Sequence, residues 1–291
     1  MYDLGTATLH RIVDVDPFAL PLDFLFPGAR LEDLRHAHSV LMPHHVDFAN
    51  GHVLLGIQSF LLRTANLNIL IDSCVGEHKA RTRRTEWHER SATGYIDRLA
   101  AAGVAPHEID IVLCTHLHAD HVGWNTRLES GRWVPTFPRA RYLIGRSELQ
   151  HWQAEEALAA VRPNHGSFAD SILPVIEAGQ CETVDDGFEL AANLAIIALP
   201  GHSPGQVGVS LACGSRRPVL FCGDAIHSPV QVYQPDWTTA FCFDRDEAVR
   251  QRGALLARSA DTGALLVPSH IRHAYGMHID RRGAAWKPVF V

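Results

Sequence analysis

The sequence predicts an α/β fold, and three observations carry that prediction. Short apolar strands bounded by Gly and Pro alternate with longer segments that read as capped helices. The second half of the chain repeats the logic of the first. Metal-type side chains stand where four of the apolar strands run out: at residues 116–121, 202, 224 and 270.

At 291 residues with 46% hydrophobic content the chain can bury a sizeable core, and it is read as a single domain, residues 1–291, led by a loop-rich N-terminal arm over residues 1–50. Lys plus Arg is 26 and Asp plus Glu is 32, for a formal net charge of −6, and no basic run announces nucleic acid or an anionic membrane surface. The expected partner is a small molecule. No stretch approaches the roughly 18 apolar residues of a membrane span, and the start lacks a charged-then-apolar leader, so the expectation is a cytoplasmic protein. The six cysteines show no CxxC pair and mostly lie in apolar strands, which reads as buried free thiols; Cys222 is one of these.

Taken in order, residues 7–15 alternate as a strand, and Pro17, Pro21, Pro27 and Gly28 break the pattern. Residues 31–36 suit a short helix. His36, His38, His44 and His45 fall among loop signals and read as exposed polar residues. The arm covers the mouth of a site or a subunit interface, which leaves a homodimer open. Strands at 53–63 and 67–72 form a hairpin about Thr64–Ala65–Asn66. The charge mixture of residues 77–90 reads as a solvated face. A helix over 93–102 stops at Gly103, and an apolar strand over 109–114 follows. Beyond it come a strand at 140–145, a helix capped by Ser147 with Gln150 and running to about 161, and a short helix over 168–178. Strands at 188–190, 194–199, 206–212 and 218–222 precede a helix capped by Asp244 with Glu247, then the strand ending at His270.

Thr115–His116–Leu117–His118–Ala119–Asp120–His121 follows the strand at 109–114. On a strand end His116 and His118 fall on one side, and a bend into a helix brings Asp120 and His121 to the same cleft. Imidazole with carboxylate suits zinc and its first-row neighbours, and four candidate ligands exceed what one tetrahedral ion takes from a short segment. A second metal follows, with further ligands from elsewhere. His202 in a Gly/Pro turn, Asp224 and His270 supply them, giving seven candidates. Asp72, ending the strand before Ser73, either coordinates directly or accepts a hydrogen bond from a ligand histidine. Trp124, Trp237, Phe48 and His273 are candidates for the pocket wall, against the plainer reading of aromatic residues as core.

HxHxDH at 116–121 followed by His202, Asp224 and His270 resembles the metallo-β-lactamase-fold superfamily, in order and spacing from Asp72 to His270. The resemblance implies a four-layer αββα sandwich, two mixed sheets with helices outside. It implies that His116, His118 and His202 hold one metal, that Asp120, His121 and His270 hold the other, and that Asp224 bridges them. Two divalent cations, Zn²⁺ first with Mn, Fe or Co as alternatives, about 3.5–4 Å apart would share a water whose pKa falls to around 7. The bridging hydroxide would be the nucleophile, with Asp120 orienting it and carrying its proton.

Within the superfamily the pattern is closest to the lactonase and methyl-parathion-hydrolase-like branch, through the N-terminal arm, Trp124 and the 133–142 stretch. Zinc β-lactamases generally lack the bridging Asp. Glyoxalase-II-type members carry a helical C-terminal domain, whereas 21 residues follow His270 here. Lactonases of this fold often place a Tyr three residues beyond the bridging Asp to bind the substrate carbonyl; this chain has His227, which either donates the same hydrogen bond or lines the pocket. The expected activity is hydrolysis of an ester or lactone. The rival readings are a phosphotriesterase, a mononuclear iron persulfide dioxygenase and a β-lactamase.

Overall fold

The computed structural model of the chain describes residues 1–283 and 285–291, the side chain of Arg282 excepted. The chain divides into two compact units, residues 1–14 with 57–185 and residues 15–56 with 186–291. No helix among the described residues is long and apolar enough to cross a membrane.

An eight-stranded mixed sheet runs in the order Tyr2–Asp3, Thr8–Pro21, His52–Arg63, Asn68–Ile71, Ile111–Cys114, Arg141–Gly145 and Cys181–Val184, with Val46–Asp47 paired to His52–Arg63 beside this path. The last four strands are parallel to one another. Ile111–Cys114 is buried throughout, as expected of a central parallel strand covered on both faces. Its C-terminal end hands the chain to Thr115, and the neighbouring strand ends at Ile71, just before Asp72. Ligand-bearing loops of open α/β sheets gather at such carboxyl ends. Helices Tyr95–Ala101 and Arg146–Leu158 belong to the same unit, the latter packing on Arg141–Gly145.

The second unit holds a seven-stranded mixed sheet, in the order Glu189–Ala191, Leu194–Ala198, Val207–Leu211, Val219–Gly223, Leu265–Pro268, Met277–Arg282 and Ala285–Phe290. Val219–Gly223 and Leu265–Pro268 are parallel, and the pairing slips between Phe221 and Gly223, a bulge that re-aims the chain just before Asp224. Helix Arg245–Thr262 packs on Leu265–Pro268 and Met277–Arg282. Its expected cap is present: the Asp244 side chain accepts from the Glu247 N–H at 2.9 Å.

Four expectations change. The first strand does not break at Pro17 but continues to Pro21, with Pro17 exposed. Residues 31–41, read in part as loop, are helical as Leu31–Ala37 and His38–Leu41. The helix expected to be capped by Ser147 starts at Arg146 after Gly145, with no side-chain cap, and ends at Leu158. The segment 77–90 is not a solvated face throughout, since Lys79 and Arg81 are fully buried. Arg81 grips both oxygens of Asp170 at 2.6 and 2.8 Å, while Lys79 Nζ donates to Thr126 Oγ1 at 2.6 Å and lies 3.5 Å over the Trp133 ring. Burial, resisted by Asp170, pulls the Lys79 ammonium down to about 7. The hairpin after His270 was not anticipated at all.

Gly123 shows how tightly the first unit is built around the 116–121 loop. A Cβ there would stand 1.8 Å from the Val75 carbonyl oxygen, and the Gly123 N–H donates to the Cys74 carbonyl at 2.7 Å. Gly123→Ala is therefore expected to destabilise the protein by about 3 kcal/mol, read from urea unfolding; a change below about 0.5 kcal/mol would contradict this packing.

Candidate metal centre

In the first unit the strand ends at Cys114, His118 is still extended, and a one-turn helix, Ala119–Val122, begins at once. That bend, expected from the sequence, sets His116 and His118 on one limb and Asp120 and His121 on the other. His116 Nε2 and His118 Nδ1 face each other at 3.0 Å, and the His116 and His121 ring centroids are 4.0 Å apart. Asp120 Oδ1 lies 3.9 Å from His121 Nε2.

The buttress of this loop is Asp72, buried and at φ 59°. Its Oδ1 accepts from the Thr115 N–H at 2.8 Å; its Oδ2 accepts from the Thr115 hydroxyl at 3.0 Å and from His121 Nδ1 at 2.9 Å. A carboxylate acceptor at Nδ1 fixes the proton there and leaves His121 Nε2 as the electron-pair donor. Thr115 Oγ1 stands 3.1 Å from His116 Nδ1.

Two further residues hold the loop, and sequence reasoning missed both. Buried Glu148 accepts from the Leu117 N–H at 2.9 Å and from Trp152 Nε1 at 2.8 Å. Asn164 accepts from the Ala119 N–H at 3.1 Å and donates to the Leu117 carbonyl at 2.6 Å. Glu148 reads in sequence as an ordinary acidic residue in a helix's first turn, and Asn164 as a turn residue after Pro163. Neither carries a signal that names its partner.

In the second unit, Gly201 puts His202 into a turn at φ 126°, where a Cβ would stand 2.4 Å from the Ala248 backbone nitrogen. Three imidazoles converge on one oxygen. Asp224 Oδ2 lies 3.1 Å from His227 Nε2, 3.2 Å from His270 Nε2 and 3.6 Å from His202 Nε2. All four side chains are buried. His202, Asp224 and His227 each offer a ligand atom, mutually within 4.8 Å. His227 thus stands against the Asp224 carboxylate beside the donor set, whereas the sequence reading gave it only substrate contact or the wall. Burial pushes its imidazole below the ordinary value against the pull of Asp224.

The tautomer of His270 decides what this cluster is. Its Nδ1 stands 2.8 Å from the Gly56 carbonyl oxygen, which only accepts, and the Gly56 N–H returns a bond to the His270 carbonyl at 3.0 Å. Nδ1 therefore carries the proton, and a neutral ring aims its Nε2 lone pair at the Asp224 carboxylate. Two electron pairs facing each other at 3.2 Å repel unless a cation or an extra proton lies at hand. The donor set of imidazoles and carboxylate fits a borderline-soft divalent metal.

The expected wall residues lie as follows. Trp124 is buried and stacks flat on Tyr95, centroids 5.0 Å apart. Trp237 is half-buried beside Phe26, and its carbonyl accepts from Gln231 and from buried Arg252. Phe48 packs on His38, and the exposed His273 ring lies tilted against His44, centroids 3.9 Å apart. Cys222 is a buried strand residue whose thiol burial pushes up.

The family model of the metallo-β-lactamase superfamily matches residues 52–270. The chain is 27% identical over 140 residues to N-acyl homoserine lactonase AttM of Rhizobium radiobacter, a match over 46% of this chain and 48% of that one. It is 26% identical over 212 residues to a hydroxyacylglutathione hydrolase of Aeromonas salmonicida, over 60% of this chain and 68% of that one. The chain thus spans about half the length of the AttM relative. Among solved structures, a hydrolase of the β-lactamase superfamily, AbOPH, superposes with a TM-score of 0.80 at 22% identity, covering 100% of this chain and 96% of its own. AidC, a dizinc quorum-quenching lactonase in complex with a product, superposes with a TM-score of 0.76 at 20% identity, over 100% and 96%. The fold is that of these structures, and with a family model matching three-quarters of its length the chain belongs to the metallo-β-lactamase superfamily.

Proposed function

We propose that this protein is a dinuclear metal-dependent hydrolase that opens a lactone or cleaves an ester of a small molecule. The observation that carries the reading is the His270 ring. The main chain fixes its proton on Nδ1, so its Nε2 lone pair meets a carboxylate, an arrangement that calls for a cation or an extra proton between them, and the imidazole-rich donor set around it favours the cation. The family pattern assigns His116, His118 and His202 to one cation and Asp120, His121 and His270 to the other, with Asp224 shared. Asp72, with its oxygens accepting from Thr115 and His121, acts as an orienting acceptor. When bound, two divalent cations, zinc foremost, supply an acidified water and polarise the substrate's carbonyl.

The chain's own groups do the rest. Asp120 stands on the limb beside His121 and holds the proton released at the nucleophile, passing it to the leaving oxygen. Asp224 would offset the positive charge of the cations it shares. His227 holds its Nε2 at that same carboxylate, and turned to the substrate its ring N–H is the donor for the carbonyl oxygen as negative charge builds there. The lactonase relatives support a lactone as substrate class, and the ring-opening of a lactone uses the same donors as ester cleavage.

The test is metal content by elemental analysis on protein purified without added metal, paired with lactones, aryl esters, a phosphotriester and a cephalosporin. About two divalent ions per chain with lactone or ester turnover is the expected result; a single iron without hydrolysis would overturn it. Asp224→Ala is expected to lose metal and to abolish hydrolysis, and a variant keeping two ions and full rate would remove the bridging assignment. His227→Phe should lower kcat/KM on carbonyl substrates by roughly a hundredfold. An unchanged kcat/KM would leave His227 in the wall.

A further inference from the structure

Each ligand imidazole that shows a partner on its outer nitrogen has a different kind of partner. His121 Nδ1 meets a carboxylate, His270 Nδ1 a main-chain carbonyl, and His116 Nδ1 a hydroxyl. His202 Nδ1 faces sulfur: Cys242 Sγ stands 3.7 Å away, and the same Sγ lies 3.3 Å from the buried Thr239 hydroxyl. On the opposite edge of the ring, His202 Nε2 points to Asp224 Oδ2 at 3.6 Å.

We propose that Cys242 is a positioning residue for His202, the middle of a relay from Thr239 through sulfur to the ring, and that the cation served by His202 is the more readily lost of the two. The inference rests on the dinuclear reading above. For Nε2 to offer a lone pair, Nδ1 must hold the proton and donate it to Sγ; the thiol hydrogen then points to Thr239 Oγ1. This fixes both the tautomer and the tilt of the ring. The relay is bolted in place by main-chain bonds. The Cys242 N–H donates to the Thr239 carbonyl at 3.2 Å, the Phe243 N–H to the His202 carbonyl at 3.0 Å, and the Asp244 N–H to the Gly201 carbonyl at 2.8 Å. Asp244 in turn caps the helix Arg245–Thr262, so the sulfur's position is tied to a rigid element. Sulfur is a weak acceptor beside a carboxylate or a carbonyl oxygen. His202 is therefore the least strongly polarised of these rings, and the weakest base toward a metal.

The experiment compares wild type with Cys242→Ala, Cys242→Ser and Thr239→Val, titrating zinc against a chromophoric chelator so that the two affinities are resolved. Unfolding curves and the nitrogen NMR resonance of His202 Nδ1 are recorded alongside. The expected result is that Cys242→Ala weakens the looser wild-type site by roughly ten- to a hundredfold, leaves the tighter one in place, and shifts the His202 Nδ1 resonance. Cys242→Ser, whose oxygen reaches less far, should weaken the same site by roughly threefold to tenfold, and carries the test alone if the alanine variant does not fold. Affinities and resonance unchanged in both cysteine variants would overturn the proposal, as would weakening confined to the tighter site. Wild-type protein that takes up no zinc would overturn the dinuclear reading itself, and this inference with it.

Discussion

One carboxylate oxygen gathers the donor cluster of the second unit. Asp224 Oδ2 receives three ring nitrogens within 3.6 Å, with all four side chains buried. Negative charge buried among neutral imidazoles is costly, and the cost grows when a ring turns its lone pair rather than its hydrogen toward it. The surrounding chain is shaped to hold that arrangement. The bulge before Asp224 sets the carboxylate's direction, and the turn at Gly201 brings His202 against the start of a helix. The His227 N–H donates to Gln231, whose amide donates to the Trp237 carbonyl, where buried Arg252 also ends.

The first unit solves a similar problem with the opposite sign of control. There the carboxylate, Asp72, sits behind the His121 ring and fixes its proton, and it does so from a left-handed backbone position that asparagine and aspartate tolerate better than most residues. Because the same two oxygens also hold Thr115, the strand end and the one-turn helix after it move as one piece. Glu148 and Asn164 grip the two peptide groups on either side of Leu117 from outside.

Much of this was legible in the sequence, for definite reasons. The central strands are apolar without interruption, so Ile111–Cys114 and Val219–Gly223 announced themselves, and the donors after them stood out as polar residues with no reason to follow a buried strand. The cap Asp244–Glu247 was legible because both partners are three residues apart. What stayed hidden has its partner far along the chain. Lys79 and Arg81 look like surface charges until Asp170 is brought to them. Asn164 and Glu148 look like a turn and a helix start until Leu117 arrives between them. Cys242 looks like one more buried thiol until its sulfur is found at the His202 ring. Local spacing reveals elements and motifs; the residues that orient a motif are chosen by tertiary contact, and spacing is silent about those.

The pairing of His270 with Gly56 has an evolutionary reading. The acceptor that fixes the His270 tautomer belongs to the main chain, so no substitution at position 56 can delete it. The clamps on the other rings are side chains, at Thr115, Asp72 and Cys242, and each is one codon change from loss. Drift in metal affinity among descendants of this sequence should accumulate at those three positions, while His270 keeps its orientation through almost any history that keeps the backbone.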